Sequence, residues 1–247
     1  MSALLDAGTT DAIIGLYANA WTFGLSPPFT FGGWVYPTSA VDSTVFSLES
    51  SVVPSEYNIQ ARTTFSGTLW ELLVTDDSSQ KVQSTLPNKP VTLNAWNFLC
   101  ILADPSLPHI AQLYVNDSQN PIEDVNVSQG TSLPSPNYLA IGNMSNDATD
   151  AMGGYLCNCF LYERLLSPRE IDILALDLHD PRTLEDLLWF ASFEKDIEHA
   201  QVGVHPSPQG SPTFSDTTHK SLLPYTPAHH RRSAFGIGGK DPLGIGN

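Results

Sequence analysis

The chain has 247 residues, 41% hydrophobic and only 15% charged, well under the roughly 25% of an average soluble domain. That composition argues against disorder, supplies enough chain for one large core, and with 17 glycines and 19 prolines argues against a long helical bundle. Eleven basic against 26 acidic residues give a formal charge of −15, which makes nucleic acid a poor partner.

Residues 1–6 lack a basic start and a continuous apolar run, so no signal peptide is expected. Residues 12–41 are uncharged and long enough to span a bilayer, but Asn19, Pro27, Pro28, Gly32 and Gly33 interrupt them, so no membrane span is expected. Short strands separated by turn residues follow at 29–36, 44–49, 57–62, 69–74, 81–86, 96–102, 110–115, 138–141 and 155–162. Their alternation places Phe46 and Leu48 on one face and Val45 and Ser47 on the other, and specifies a sheet with one buried face. Cys157 and Cys159 are two apart and share a strand face, a poor geometry for bridging each other. With Cys100 they read as buried free thiols of a chain made in a reducing cytoplasm. Without a secretion signal, the Asn116, Asn126 and Asn143 glycosylation patterns carry no weight.

Ser167-Pro168-Arg169-Glu170 is a capping box that starts the chain's one clear helix. Ile171, Leu174, Ala175 and Leu178 form its apolar stripe, and Asp180-Pro181 ends it. A strong strand covers 187–193. The expected division is a sandwich over 1–200 and an extended, Pro- and Gly-rich basic arm over 201–247. Residues 217–247 hold Lys220, Arg231, Arg232 and Lys240 against Asp241, a net of +3, which leaves −18 on residues 1–216. An acidic body with a basic tail points to a separate partner for the tail.

The run Phe29-Thr-Phe-Gly-Gly-Trp-Val-Tyr-Pro37, then Thr44-Val-Phe-Ser-Leu48, Trp96-Asn-Phe-Leu-Cys100, Leu113-Tyr-Val-Asn-Asp117, Tyr138-Leu-Ala-Ile-Gly142, Gly154 to Tyr162 and Leu166-Ser-Pro-Arg-Glu-Ile171 resembles the laminin-G-like, concanavalin A-like jelly roll. The resemblance covers about residues 10–178. It implies an all-β, two-sheet antiparallel sandwich with one short helix, and puts Trp34 and Trp96 in the core. Asp117-Ser118 stands where the family's hairpin usually has Asp-Gly. Leu188 to Glu194 looks like the strand that often starts such domains, and here it comes last. The missing signal and the basic, Pro- and Gly-rich terminus resemble those of tailed-phage virion proteins.

Glu194-Lys-Asp-Ile-Glu198 puts three carboxylates on one strand face, as in one jelly-roll glycosidase family. Lys195 departs from that family's motif, and the segment leads into low-complexity sequence, so no catalytic role is assigned. Asn143, Asp147 and Asp150 offer hard oxygen ligands for calcium in a loop that also reads as a polar surface turn. No other cofactor is expected. A glycan would need an exposed aromatic platform, for which Trp70, Tyr57 and Trp21 are the candidates, with core packing as the default. In the tail, Tyr225, Phe235, Ile237 and Leu243 are apolar anchors among Arg231, Arg232 and Lys240, suited to an arm laid along an acidic neighbour. The expectation is a non-enzymatic capsid decoration protein, made in the host cytoplasm and placed on the virion surface. Its partners would be other copies or the major capsid protein. A carbohydrate-binding adhesion module is the alternative, and glycoside hydrolysis comes third.

Overall fold

The computed structural model describes residues 2–5, 12–15, 28–49, 58–64, 66–75, 81–104, 111–123, 138–142, 151–193, 207–209 and 213–215. The first six strands are β1 (Ser2–Leu5), β2 (Ala12–Gly15), β3 (Phe29–Pro37), β4 (Ser43–Glu49), β5 (Asn58–Thr64) and β6 (Leu69–Thr75). They continue with β7 (Lys81–Pro90), β8 (Asn97–Ala103), β9 (Ala111–Val115), β10 (Ile122–Glu123), β11 (Tyr138–Ile141) and β12 (Gly154–Tyr162). Helix α1 (Pro168–Ala175) follows, then β13 (Leu187–Ala191), β14 (Ser207–Gln209) and β15 (Thr213–Ser215). Sheet A runs β10-β9-β8-β3-β12-β1-β15, with β13 also on β12; sheet B runs β14-β2-β11-β4-β5-β6-β7. The paired strands are antiparallel throughout, and the two sheets form the jelly-roll-like sandwich that the alternating pattern implies.

The main core lies between the sheets. Phe29, Phe31, Leu99, Ile101, Leu161 and Trp189 of sheet A meet Val45, Phe46, Leu48, Trp70, Leu72 and Val74 of sheet B. A register shift between Thr44 and Phe46 turns Val45 inward beside Phe46, so β4 departs from the simple alternation read in the sequence. Part of the outer face of sheet A is buried as well, because α1 lays Ile171, Leu174 and Ala175 over Phe98, Phe160, Tyr162 and Phe190. Gly32 permits a close approach between β3 and β8: a Cβ there would stand 2.4 Å from the Leu99 carbonyl oxygen. Cys100, Cys157 and Cys159 are buried and form no disulfide.

Helix α1 has the capping box expected of it. Ser167 Oγ accepts from the Glu170 N–H, and the Glu170 carboxylate accepts from the Ser167 N–H at 2.8 Å. Glu170 also takes a bidentate Arg164, at 2.6 and 3.0 Å. The helix stops at Ala175, and Leu178, read as part of its stripe, lies beyond it and is 55% exposed. Asp180 instead caps a 3-10 turn over Pro181–Thr183. Between β9 and β10 the chain makes a loop over residues 116–121, not a two-residue hairpin. Asn116 adopts φ 64°, and Asp117 Oδ1 accepts from the Gln119 N–H and from Lys89 Nζ. Lys89 thus ties β7 of sheet B to β9 of sheet A, its Nζ also donating to the Val115 carbonyl.

Pairing does not stop at position 200. Residues 207–209 pair with β2 and residues 213–215 with β1, although both fall in the segment read as an arm. No helix among the described residues is long and apolar enough to cross a membrane.

Candidate functional site

Strand β5 builds the site by alternation. Ile59 and Ala61 enter the core, so Gln60, Arg62 and Thr64 fall on the other face of sheet B. Register carries neighbours into the same layer: Ser47 opposite Gln60 and Thr44 opposite Arg62 on β4, Glu71 opposite Arg62 and Leu73 opposite Gln60 on β6. Polar side chains on an outer sheet face ordinarily reach water. Here Thr44, Ser47 and Gln60 are fully buried and Glu71 nearly so, whereas the Arg62 side chain keeps 20% of its surface. Beyond Arg62, Thr64 and Leu69 are half-buried, so the layer opens to solvent at that end.

Gln60 is the anomaly in this layer. Neither its Nε2 nor its Oε1 has a hydrogen-bond partner, and the Thr44 hydroxyl beside Arg62 has none either. Native interiors rarely tolerate such groups. Arg62 Nε stands 2.9 Å from Glu71 Oε2, an ion pair in contact but poorly aligned for a hydrogen bond. Burial pushes the Glu71 carboxyl above the usual range; Arg62 opposes this and the Asp42 charge adds to it. Asp42 is held near by the Gly67 N–H, which donates to its Oδ1 at 3.1 Å.

The chemistry on offer is a paired donor and acceptor from Gln60, donors from Arg62, an acceptor from Glu71 and a hydroxyl from Thr44. That set complements the vicinal hydroxyls of a sugar. It suits catalysis less. A glycosidase needs a free proton donor and a second carboxylate across the scissile bond, but Glu71 is matched by Arg62 and Asp42 is engaged by Gly67. Cys100 and Cys159 are poor nucleophiles, since both are buried and burial drives their thiols upward. Among the described residues no group of three His, Cys, Asp or Glu could hold a metal.

The sequence-derived candidates fare unevenly. Trp70 is fully buried in the inter-sheet core and presents no face to a glycan, because its position on β6 points inward with Leu72 and Val74. Tyr57 and Trp21 lie outside the described residues, as do Asn143, Asp147 and Asp150, the Glu194–Glu198 acids and the arm residues from Tyr225 to Leu243. Trp34 is in the core beneath α1, whereas Trp96, expected there too, is only half-buried at its edge. Gln60, Arg62 and Glu71 were not singled out from sequence. The available signal was their i, i+2 spacing opposite Ile59 and Ala61, which places polar side chains on a common face.

A family model described as the concanavalin A-like lectin/glucanases superfamily matches residues 11–172. No curated protein sequence matches the chain. Among solved structures, the chain is similar to a Bacteroides ovatus protein described as carbohydrate-binding, at 13% identity and TM-score 0.60, over 87% of this chain and 60% of that one. It is similar to the CBM40 of a Ruminococcus gnavus IT-sialidase, at 14% identity and TM-score 0.53, over 70% of this chain and 96% of that one. A third likeness, at 16% identity and TM-score 0.51, is to the enzymatically active domain of tailspike protein 2 from bacteriophage CBA120; it covers 69% of this chain and 27% of that one. At these identities the likeness is one of fold.

Proposed function

This chain belongs to the concanavalin A-like lectin/glucanases superfamily, and from that premise we propose that it is a non-enzymatic carbohydrate-recognition module whose ligand meets the outer face of sheet B. The observation that carries this reading is the buried, partnerless Gln60 amide set between Ser47 and the Arg62–Glu71 pair. A ligand enters from the Thr64 end, where Arg62 reaches solvent, and supplies the hydrogen bonds that Gln60 lacks. The test is a glycan array probed with the full chain, with and without a chelator, followed by inspection of the bound oligosaccharides for cleavage. Selective binding without cleavage, weakened about tenfold or more in Arg62→Ala, is expected; binding to no glycan overturns the proposal. The chelator arm reports on calcium at the 143–150 loop.

A second reading, a capsid decoration protein on the virion surface, is favoured by the charge split between an acidic body and the +3 of residues 217–247. In that reading the C-terminal arm grips other copies or the major capsid protein. Deleting residues 220–247 then abolishes particle incorporation and leaves the sandwich folded, whereas undiminished incorporation contradicts it.

A further inference from the structure

The outer face of sheet A carries a row of aromatic side chains that the core does not absorb. Tyr36 of β3 stands opposite Tyr155 of β12, and Trp96, one residue before β8, flanks it on the other side. Ring centroids are 5.5 Å apart for Tyr36–Trp96 and 5.6 Å for Tyr36–Tyr155, both edge-to-face. One step along the strands, Trp34, Phe98 and Cys157 are buried in the cluster that α1 covers. All three residues of the outer row are only half-buried. Length explains the difference: the eight-residue α1 is about 12 Å long, and nine-residue β3 runs about 30 Å. The helix cannot cover the whole face, and the aromatic row lies at the end it leaves open.

The surroundings indicate what could sit there. Residues 29–41, 90–103 and 151–162 contain no charged side chain, in a chain of net charge −15. Thr38, Thr92 and Asn94 are exposed at the ends of these segments. An uncharged aromatic row with a hydroxyl- and amide-bearing rim matches the C–H faces and hydroxyl edges of a neutral sugar. Three half-buried side chains are far fewer than the roughly 20–30 residues a side of a stable protein interface, which buries about 800 Å² per partner.

We infer that Tyr36, Trp96 and Tyr155 form a second stacking platform for a neutral oligosaccharide, on the opposite side of the sandwich from Gln60 and Arg62. The test is a ¹⁵N NMR titration of the full chain with cello-, malto- and manno-oligosaccharides, with sialyllactose as the anionic control. A neutral sugar is expected to shift the Trp96 indole N–H and the Tyr36 and Tyr155 amides in the native protein, a readout that needs no variant to fold. Tyr155→Leu is expected to weaken that response at least tenfold while leaving shifts at Gln60 and Arg62 in place. Shifts confined to β4–β6 overturn the platform but leave the proposed function standing, and no shift with any sugar overturns both. Concentration-dependent shifts of the row without sugar also overturn it, assigning the row to contact between copies.

Discussion

A buried amide with no partner costs about 1–3 kcal/mol of stability, and Gln60 carries that burden at both polar atoms. Replacing it with an apolar side chain of similar length removes the cost together with the proposed sugar contact. Gln60→Met is therefore expected to leave the thermal midpoint unchanged or raise it by a few degrees, at roughly 2–4 °C per kcal/mol for a domain of this size, while weakening glycan binding. Calorimetric unfolding checks this, and a loss of more than about 1 kcal/mol would show that the amide is satisfied in the free protein. Nothing in Asn58-Ile-Gln-Ala-Arg62 announces the residue's importance. Alternation gives the face a side chain takes, but whether that face is open or covered depends on segments distant in sequence. The same gap separates Trp70, which is enclosed, from Trp96, which reaches the surface.

The start of helix α1 was legible in detail because it is encoded locally, in four consecutive residues. Its end was not: Leu178 keeps the apolar spacing but falls beyond the last turn and is 55% exposed. The bulges at Thr44 and at Asn158, with φ 53°, were equally hidden, since they answer to the partner strand rather than to the bulged one. The capping box also carries a pH prediction. Arg164 and the Ser167 hydrogen bonds hold the Glu170 carboxyl down, at about 2. A group depressed in the folded state contributes stability that is complete above its unfolded value near 4.5 and disappears as pH falls toward 2. Glu170→Gln should flatten the acid limb of the stability profile between those values. Ser167→Ala should cost about 1 kcal/mol at neutral pH. Denaturant unfolding at pH 7, 4 and 2.5 measures both, and an unchanged acid limb in Glu170→Gln counts against the assignment.

At the scale of the molecule, the two ends of the described chain close the sandwich on each other. Strand β1 lies between β12 and β15, and β2 between β11 and β14. Removing everything after residue 206 strips both three-residue strands and turns β1 and β2 into open edges, which invite pairing with other chains. That truncation is expected to lower the thermal midpoint and promote self-association. Truncation after Ser215 keeps every described pairing and is expected to leave the midpoint within about 2 °C, or ~1 kcal/mol. Equal stability of the two forms, measured by calorimetry with light scattering, would mean that the terminal pairings contribute nothing. The alternating strands made the two sheets readable. The role of 207–215 was not readable, because Pro- and Ser-rich segments of three residues carry too little periodicity to separate a strand from a linker.

The most direct measurement is a crystal structure of the chain bound to the oligosaccharide it selects from the array. Sugar hydroxyls within hydrogen-bonding distance of the Gln60 amide and Arg62 are the predicted result. A selected sugar bound with the Gln60 amide still enclosed and untouched would contradict the account.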